Sequence, residues 1–256
     1  IVFFVPASVL AQNEKSVAPA HDPTSKWDYA APEIANTART YWAFNKFKVN
    51  DEKALENFLK LTECRFFNEK YGDDFAWKKI LRHTGRYIQT NIEKFPFRYT
   101  FSQPISLGRY DFERNGFPLA EDSTYEGLRD LEIGIDIRQD DECDNIRFRN
   151  IQGYPTNMAF EFKRPFSLTF FPLAERYAKD YLNYVESKLG DTKYKRPAYI
   201  KFYVRASKFV GETYFQNTGN RPLALFIGEL EKYEIYADRD MRHLLYTHIP
   251  AHIKQN

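Results

Sequence analysis

Across residues 51–71, Leu55, Phe58, Leu59, Thr62 and Phe66 recur at three- and four-residue spacing. That spacing turns one face of a helix toward a core. Asn50 or Asp51 is placed to cap it, and the acidic residues of its first turn complement the helix dipole. Gly72 ends the pattern, and Asp73 or Asp74 opens a second helix over 74–93, striped by Phe75, Ile80, Leu81, Tyr87, Ile88 and Ile92. Two helices joined so tightly read as an αα-hairpin, whose stripes need another surface to cover them. A shorter helix is predicted just before, over 33–47, with Ile34, Trp42, Phe44 and Phe47 apolar.

From residue 96 the period changes to two. Phe97, Tyr99 and Phe101 alternate with polar neighbours, Pro104 interrupts, and the run resumes to Phe112. Asn115-Gly116 is a turn signal, followed by a loop-like stretch in which Leu131, Ile133, Ile135 and Ile137 alternate as a half-buried strand. A broken strand follows over 158–171, then a helix over 172–188, opened by Pro172 and closed by Gly190. In the strand 198–209, Ile200, Phe202, Val204 and Ala206 point one way, and Tyr199, Lys201, Tyr203 and Arg205 the other. The return strand is 223–236, and its alternation slips near Gly228, the signature of a bulge. Past the slip, Glu229 and Glu231 share a face and are expected opposite Lys201 and Arg205 as solvated ion pairs. Such pairs contribute about 0.2–1 kcal/mol each.

The chain also echoes itself: Tyr99, Phe101, Pro104, Ser106 and Leu107 stand in the same order and spacing as Phe160, Phe162, Pro165, Ser167 and Leu168. Proline cannot donate to a central ladder, so each strand is expected to kink or lie at an edge at that point.

These elements predict an α+β fold, an antiparallel β-sheet or small β-sandwich packed against an N-terminal αα-hairpin and one later helix. The helices cluster early and the strands late, which argues against a doubly wound parallel sheet. One domain is expected over 37–256, divided into a helical part, 37–93, and a β-rich part, 96–256.

Composition sharpens this picture. Aromatic residues make up 17% of the 256 positions, which favours strands and excludes a disordered chain. A formal net charge of +2 gives no global field to recruit nucleic acid, and no segment is apolar for the ~20 residues a membrane helix needs. Residues 1–11 form a short apolar run ending Val9-Leu10-Ala11, which reads as the remainder of a signal peptide cut before Gln12, with a Pro- and Ala-rich linker over 12–36. The expected location is periplasmic or secreted. In such an oxidising compartment Cys64, in a helix, and Cys143, in an acidic loop, are either bonded or two separate thiols.

The chain carries no G-x-S-x-G, no Walker or dinucleotide glycine loop, no H-E-x-x-H and no C-x-x-C. Three weaker constellations remain. His243, His248 and His252 are metal-ligand types, but Pro250 breaks any helix that would align the last two. Asp136, Asp140, Asp141, Glu142, Asp144 and Asn145 offer oxygen ligands without calcium-loop spacing. Glu161, Asp111 and Glu113 are carboxylates beside aromatics, the raw material of a glycosidase pair. Aromatics with interleaved cations, Tyr199, Tyr203, Lys201 and Arg205, with Tyr233 and Tyr236 on the neighbouring strand, either pack beneath the N-terminal helices, whose stripes need an apolar partner, or face outward, where the first four are the ligand-binding candidates. The expectation is a non-catalytic cell-envelope or secreted binding module, its partner an envelope protein or polysaccharide. No cofactor, metal or nucleic acid is expected. The alternatives are a secreted hydrolase with paired carboxylates and a structural subunit of a secretion apparatus.

Overall fold

The computed structural model describes residues 26–136, 143, 151, 153–155, 157–190, 196–214 and 222–253. The apolar run 1–11, most of the linker and all of the acidic cluster except Asp136 lie outside the described residues.

The fold is α+β. Helix α1 (Ile34–Ala43) begins inside the stretch read as linker. Helix α2 (Glu52–Thr62) starts where Asp51 accepts the Ala54 N–H at 3.0 Å. The single helix expected over 51–71 is two: Glu63 leaves the helical conformation, φ −143° and ψ 51°, and α3 (Cys64–Lys70) starts again beyond it. Asp73 caps α4 (Asp74–Asn91) by accepting the Ala76 N–H at 3.0 Å.

Among the described residues, six strands form one curled, mostly antiparallel sheet in the order β1-β6-β7-β4-β3, with β8 on β7. They are β1 (Arg98–Ser106), β3 (Tyr125–Gly134), β4 (Asn157–Leu168), β6 (Pro197–Tyr214), β7 (Pro222–Tyr236) and β8 (Leu244–His248). The short strands β2 (Gly116–Pro118) and β5 (Phe170–Pro172) pair separately. That arrangement is a sheet with a small side ladder and not a sandwich. Helix α5 (Glu175–Leu189) starts three residues later than Pro172 predicts, because Pro172 is engaged opposite Gly116. Strand β3 begins six residues before the alternation does. Its first half lies exposed at the end of the sheet order, so no apolar period marks it. Strand β8 has only five residues and was not anticipated.

The alternation of β6 holds: Ile200, Phe202, Val204 and Ala206 are buried. They join Phe101, Phe160, Phe166 and Tyr233 in the main core, and α1 closes it by stacking Tyr41 on Phe226 with centroids 6.0 Å apart. A second apolar cluster, Leu55, Phe58, Trp77, Leu81, Ile88 and Phe95, is where the stripes of α2 and α4 meet around Trp42 of α1. The echoed segments prove to be β1 and β4, and their aromatics pack together, Phe101 against Phe160 at 6.5 Å. Cys64 and Cys143 form a disulfide with Cα atoms 6.0 Å apart, tying the start of α3 to the main core, where Cys143 is buried.

Candidate functional site

Strand β7 has β6 along one side for its whole length, and two successive neighbours on the other. Strand β4 runs parallel to it from Asn157↔Leu223 to Phe162↔Gly228. Strand β8 joins only at Tyr233↔His248. Between these pairings β4 has left and β8 has not arrived. Pro165 has no N–H to offer a ladder, so its position just beyond the last β4–β7 pair is consistent with the parting. The close approach before the parting depends on Gly228, where a Cβ atom would stand 2.7 Å from the Phe160 Cβ.

The opening is a cleft of about 480 Å³. One wall is β4, with Phe162, Lys163, Arg164, Pro165, Phe166 and Ser167. The other is built from Arg205 and Ser207 of β6, residues 228–230 and Tyr233 of β7, and His248, Pro250 and His252 at the C-terminal end. Volumes of this order suit a small ligand or a few units of a chain. Two bulges shape the far wall. One lies between Ala206 and Lys208, where the Ser207 hydroxyl donates to the Ile227 carbonyl at 3.1 Å; the other sets Leu230 opposite Val204 and leaves Glu231 as the extra residue.

Glu229 is the one carboxylate among these lining residues. Arg205 donates to it, and His252 Nε2 lies 3.3 Å from its Oε1. Burial pushes the Glu229 carboxyl up, but the hydrogen bond and charge of Arg205, with His252 and Lys163 behind it, outweigh burial and hold it below the usual range. A carboxylate so held stays ionised at neutral pH and is a poor general acid. Beside it Glu231, 1% exposed, receives the Arg98 Nε at 2.9 and 3.2 Å and the Tyr29 hydroxyl at 2.9 Å, with Arg205 Nε 3.2 Å away. Glu231 thus fixes Arg205 from behind while Glu229 fixes it from the front.

Of the four residues singled out on β6, Arg205 alone lines the cleft. Tyr203 is 9% exposed, sits edge-on under Tyr29 at 4.9 Å, and donates its hydroxyl to Glu234 at 2.6 Å. Burial, and then this bond, raise its phenol well above the ordinary range. Lys201 is half-buried opposite Glu234, its ammonium 5.2 Å from the Tyr203 ring, and Tyr199 is half-buried opposite Tyr236. Tyr236 shares Glu234 with Tyr203, donating at 2.6 Å, while Tyr233 turns to the opposite face and the core. The expected pairing of Glu229 and Glu231 with Arg205 forms; Lys201 instead faces Glu234, whose ion pair is with Lys232 at 3.1 Å.

His248 and His252 do converge on the cleft, although no helix aligns them; a strand end and a turn do so. His243 is elsewhere, its Nδ1 2.9 Å from Asp238 Oδ2 and its ring against Tyr184. No three His, Cys, Asp or Glu side chains gather as a metal site among the described residues. Asp136 is engaged through its backbone with Pro32 and Ile34. Glu161 stands exposed opposite Asp130 on β3, whereas Asp111 accepts the N–H groups of Glu113 and Arg114 in the turn before β2. The carboxylates weighed as a pair therefore sit on separate elements. Lys163 and Arg164, the cations of the near wall, were passed over; the signal that could have found them is the echoed proline beside them.

No curated protein and no solved structure matches the chain. One family does, described as Domain of unknown function (DUF4852), over residues 50–184. The match takes in the β4 wall of the cleft and stops before the β6, β7 and β8 wall. Since it covers more than half of the sequence, the chain belongs to the DUF4852 family.

Proposed function

We propose that the protein is a non-catalytic binding module of the cell envelope or of the secreted fraction, and that it holds part of a polysaccharide or of an envelope protein in the cleft between β4 and β7. The observation that carries this reading is the cleft itself, whose lining has aromatic edges, several donors and a single carboxylate already bound by Arg205. A pocket whose carboxylate is already tied up by Arg205 suits recognition better than turnover driven by that carboxylate. The Cys64–Cys143 bond supports an oxidising compartment, since such bonds are rare where thiols are kept reduced. The preferred ligand-contacting residue of the earlier set becomes Arg205; Tyr199, Lys201 and Tyr203 form the shelf behind it.

Native mass spectrometry of the protein isolated from cells that make it tests this. Wild type is expected to retain a small molecule or chain fragment that Ser207→Trp, which fills the cleft from the β6 side, excludes. Loss of the ligand by turnover, abolished in Glu229→Gln, would replace the binding module with an enzyme. Absence of any retained ligand, together with identical binding of glycans and peptides by wild type and Ser207→Trp, would remove the cleft from the account.

A further inference from the structure

We infer that the cleft selects ligands bearing an oxyanion, a carboxylate or a phosphate, on a compact neutral body; this rests on the binding reading above. Among the described residues, three cations, Lys163, Arg164 and Arg205, line the cleft against one carboxylate, Glu229. That carboxylate is already shared by Arg205 and His252, so it has little left to offer a cationic ligand. Lys163 and Arg164 differ from Arg205 in having no carboxylate within 4.0 Å among the described residues. They are exposed neighbours on a strand that has parted from β7, and so are open to a ligand on the cleft side.

The chemistry of the donors points the same way. An ammonium and a guanidinium donate only; they have no acceptor to give to a hydroxyl or an amine. A planar carboxylate or a phosphate matches the guanidinium fork, and the pairing is stronger than with a neutral oxygen. The charge of Lys163 also adds, after Arg205 and His252, to the lowering of the Glu229 carboxyl, so it is felt at the facing wall. His248 and His252 sit on the opposite wall. Neutral sugars would find few acceptors along this lining, and cationic peptides would meet like charge.

Isothermal titration of the full chain with digalacturonate, glucose 6-phosphate and maltose tests the inference, in 50 mM and 500 mM salt. The expected result is binding of one or both anions over maltose, weakening with salt as screened charges do. Lys163→Glu with Arg164→Glu should weaken anion binding on the order of tenfold or more. Lys78→Glu with Lys79→Glu, an equal change of net charge on α4, should leave it within about twofold. Preference for digalacturonate identifies a carboxylate source and preference for glucose 6-phosphate a phosphate source. Equal binding of maltose, unaffected by the β4 reversal, would overturn anion selection while leaving the binding module intact. So would a wild type that binds none of the three but carries a ligand without carboxylate or phosphate that Ser207→Trp excludes.

Discussion

Glu231 is a carboxylate with almost no access to water, held by the guanidinium of Arg98 from β1, the hydroxyl of Tyr29 from the N-terminal segment, and Arg205 from β6. Three separate stretches of chain meet on this one side chain. Glu231→Gln would leave two guanidinium groups facing an amide, and removing one partner of a buried pair costs about 3–5 kcal/mol. Glu229→Gln, at a side chain about a third exposed, should cost no more than about 1 kcal/mol. Urea denaturation monitored by circular dichroism separates the two; equal midpoints would sink the idea that Glu231 is the keystone. This distinction was not legible in the sequence. Alternation places Glu229 and Glu231 on one solvated face opposite Lys201 and Arg205, and Arg205 is indeed there. The bulge at Glu231 shifts the register so that Lys201 meets Glu234. The arrival of Arg98 and Tyr29 is a long-range event that no local period records.

At the scale of elements, strong periods translated in the main, although Phe66, Phe75 and Tyr87, expected on the inward stripes of the early helices, are exposed. Caps Asp51 and Asp73, the inward face of β6 and the slip near Gly228 all stand where the residue pattern puts them. What escaped was short or exposed: β8, the polar first half of β3, and the break at Glu63, where the apolar spacing runs on through a bend. The cleft escaped for a different reason. It arises from which strand lies beside which, and the parallel β4–β7 contact joins segments about 65 residues apart. Gly228→Ala probes that contact directly, because the added methyl would stand 2.7 Å from the Phe160 Cβ, backed by a buried ring. Overpacking of this kind costs about 1–3 kcal/mol. It should lower the urea midpoint, and the fall should be larger than for Gly72→Ala, where nothing lies within 4 Å. The disulfide is a second tie between elements. Its cysteines are 79 positions apart in sequence, and the chain-entropy account gives it about 4.5 kcal/mol. Dithiothreitol should therefore lower the melting temperature of wild type and leave Cys64→Ser with Cys143→Ser, already lowered, unchanged. A wild type indifferent to reductant would show that the bond does not hold the folded state.

Over the whole molecule the aromatic excess becomes a pH limit. Among the described residues nine tyrosines, at 41, 99, 125, 154, 181, 203, 233, 236 and 246, have phenols raised above the ordinary value near 10, in every case first by burial. Tyr125 is pushed up to about 12. They are spread over α1, β1, β3, α5, β6, β7, β8 and the turn at Tyr154, so most layers of the fold contribute. The sign follows from proton binding. Below about pH 10 both folded and unfolded chains keep these protons, and the contribution is fully present. Above it the unfolded chain releases them first, so stability falls as pH rises through the interval up to the folded values. Adjacent phenols reinforce the effect: Tyr203 and Tyr236 both donate to Glu234, and ionising either would set two anions against each other in a nearly closed site. Alkaline unfolding should therefore be cooperative. A titration followed by phenolate absorbance at 295 nm should show a steep wave above pH 10 that coincides with loss of far-ultraviolet circular dichroism. In urea that wave should move down to near 10, the value of an unfolded chain. If instead all 18 tyrosines of the native protein titrate in one wave near 10 while the circular dichroism is unchanged, the phenols are open to water and the aromatic layers do not hold the fold as described.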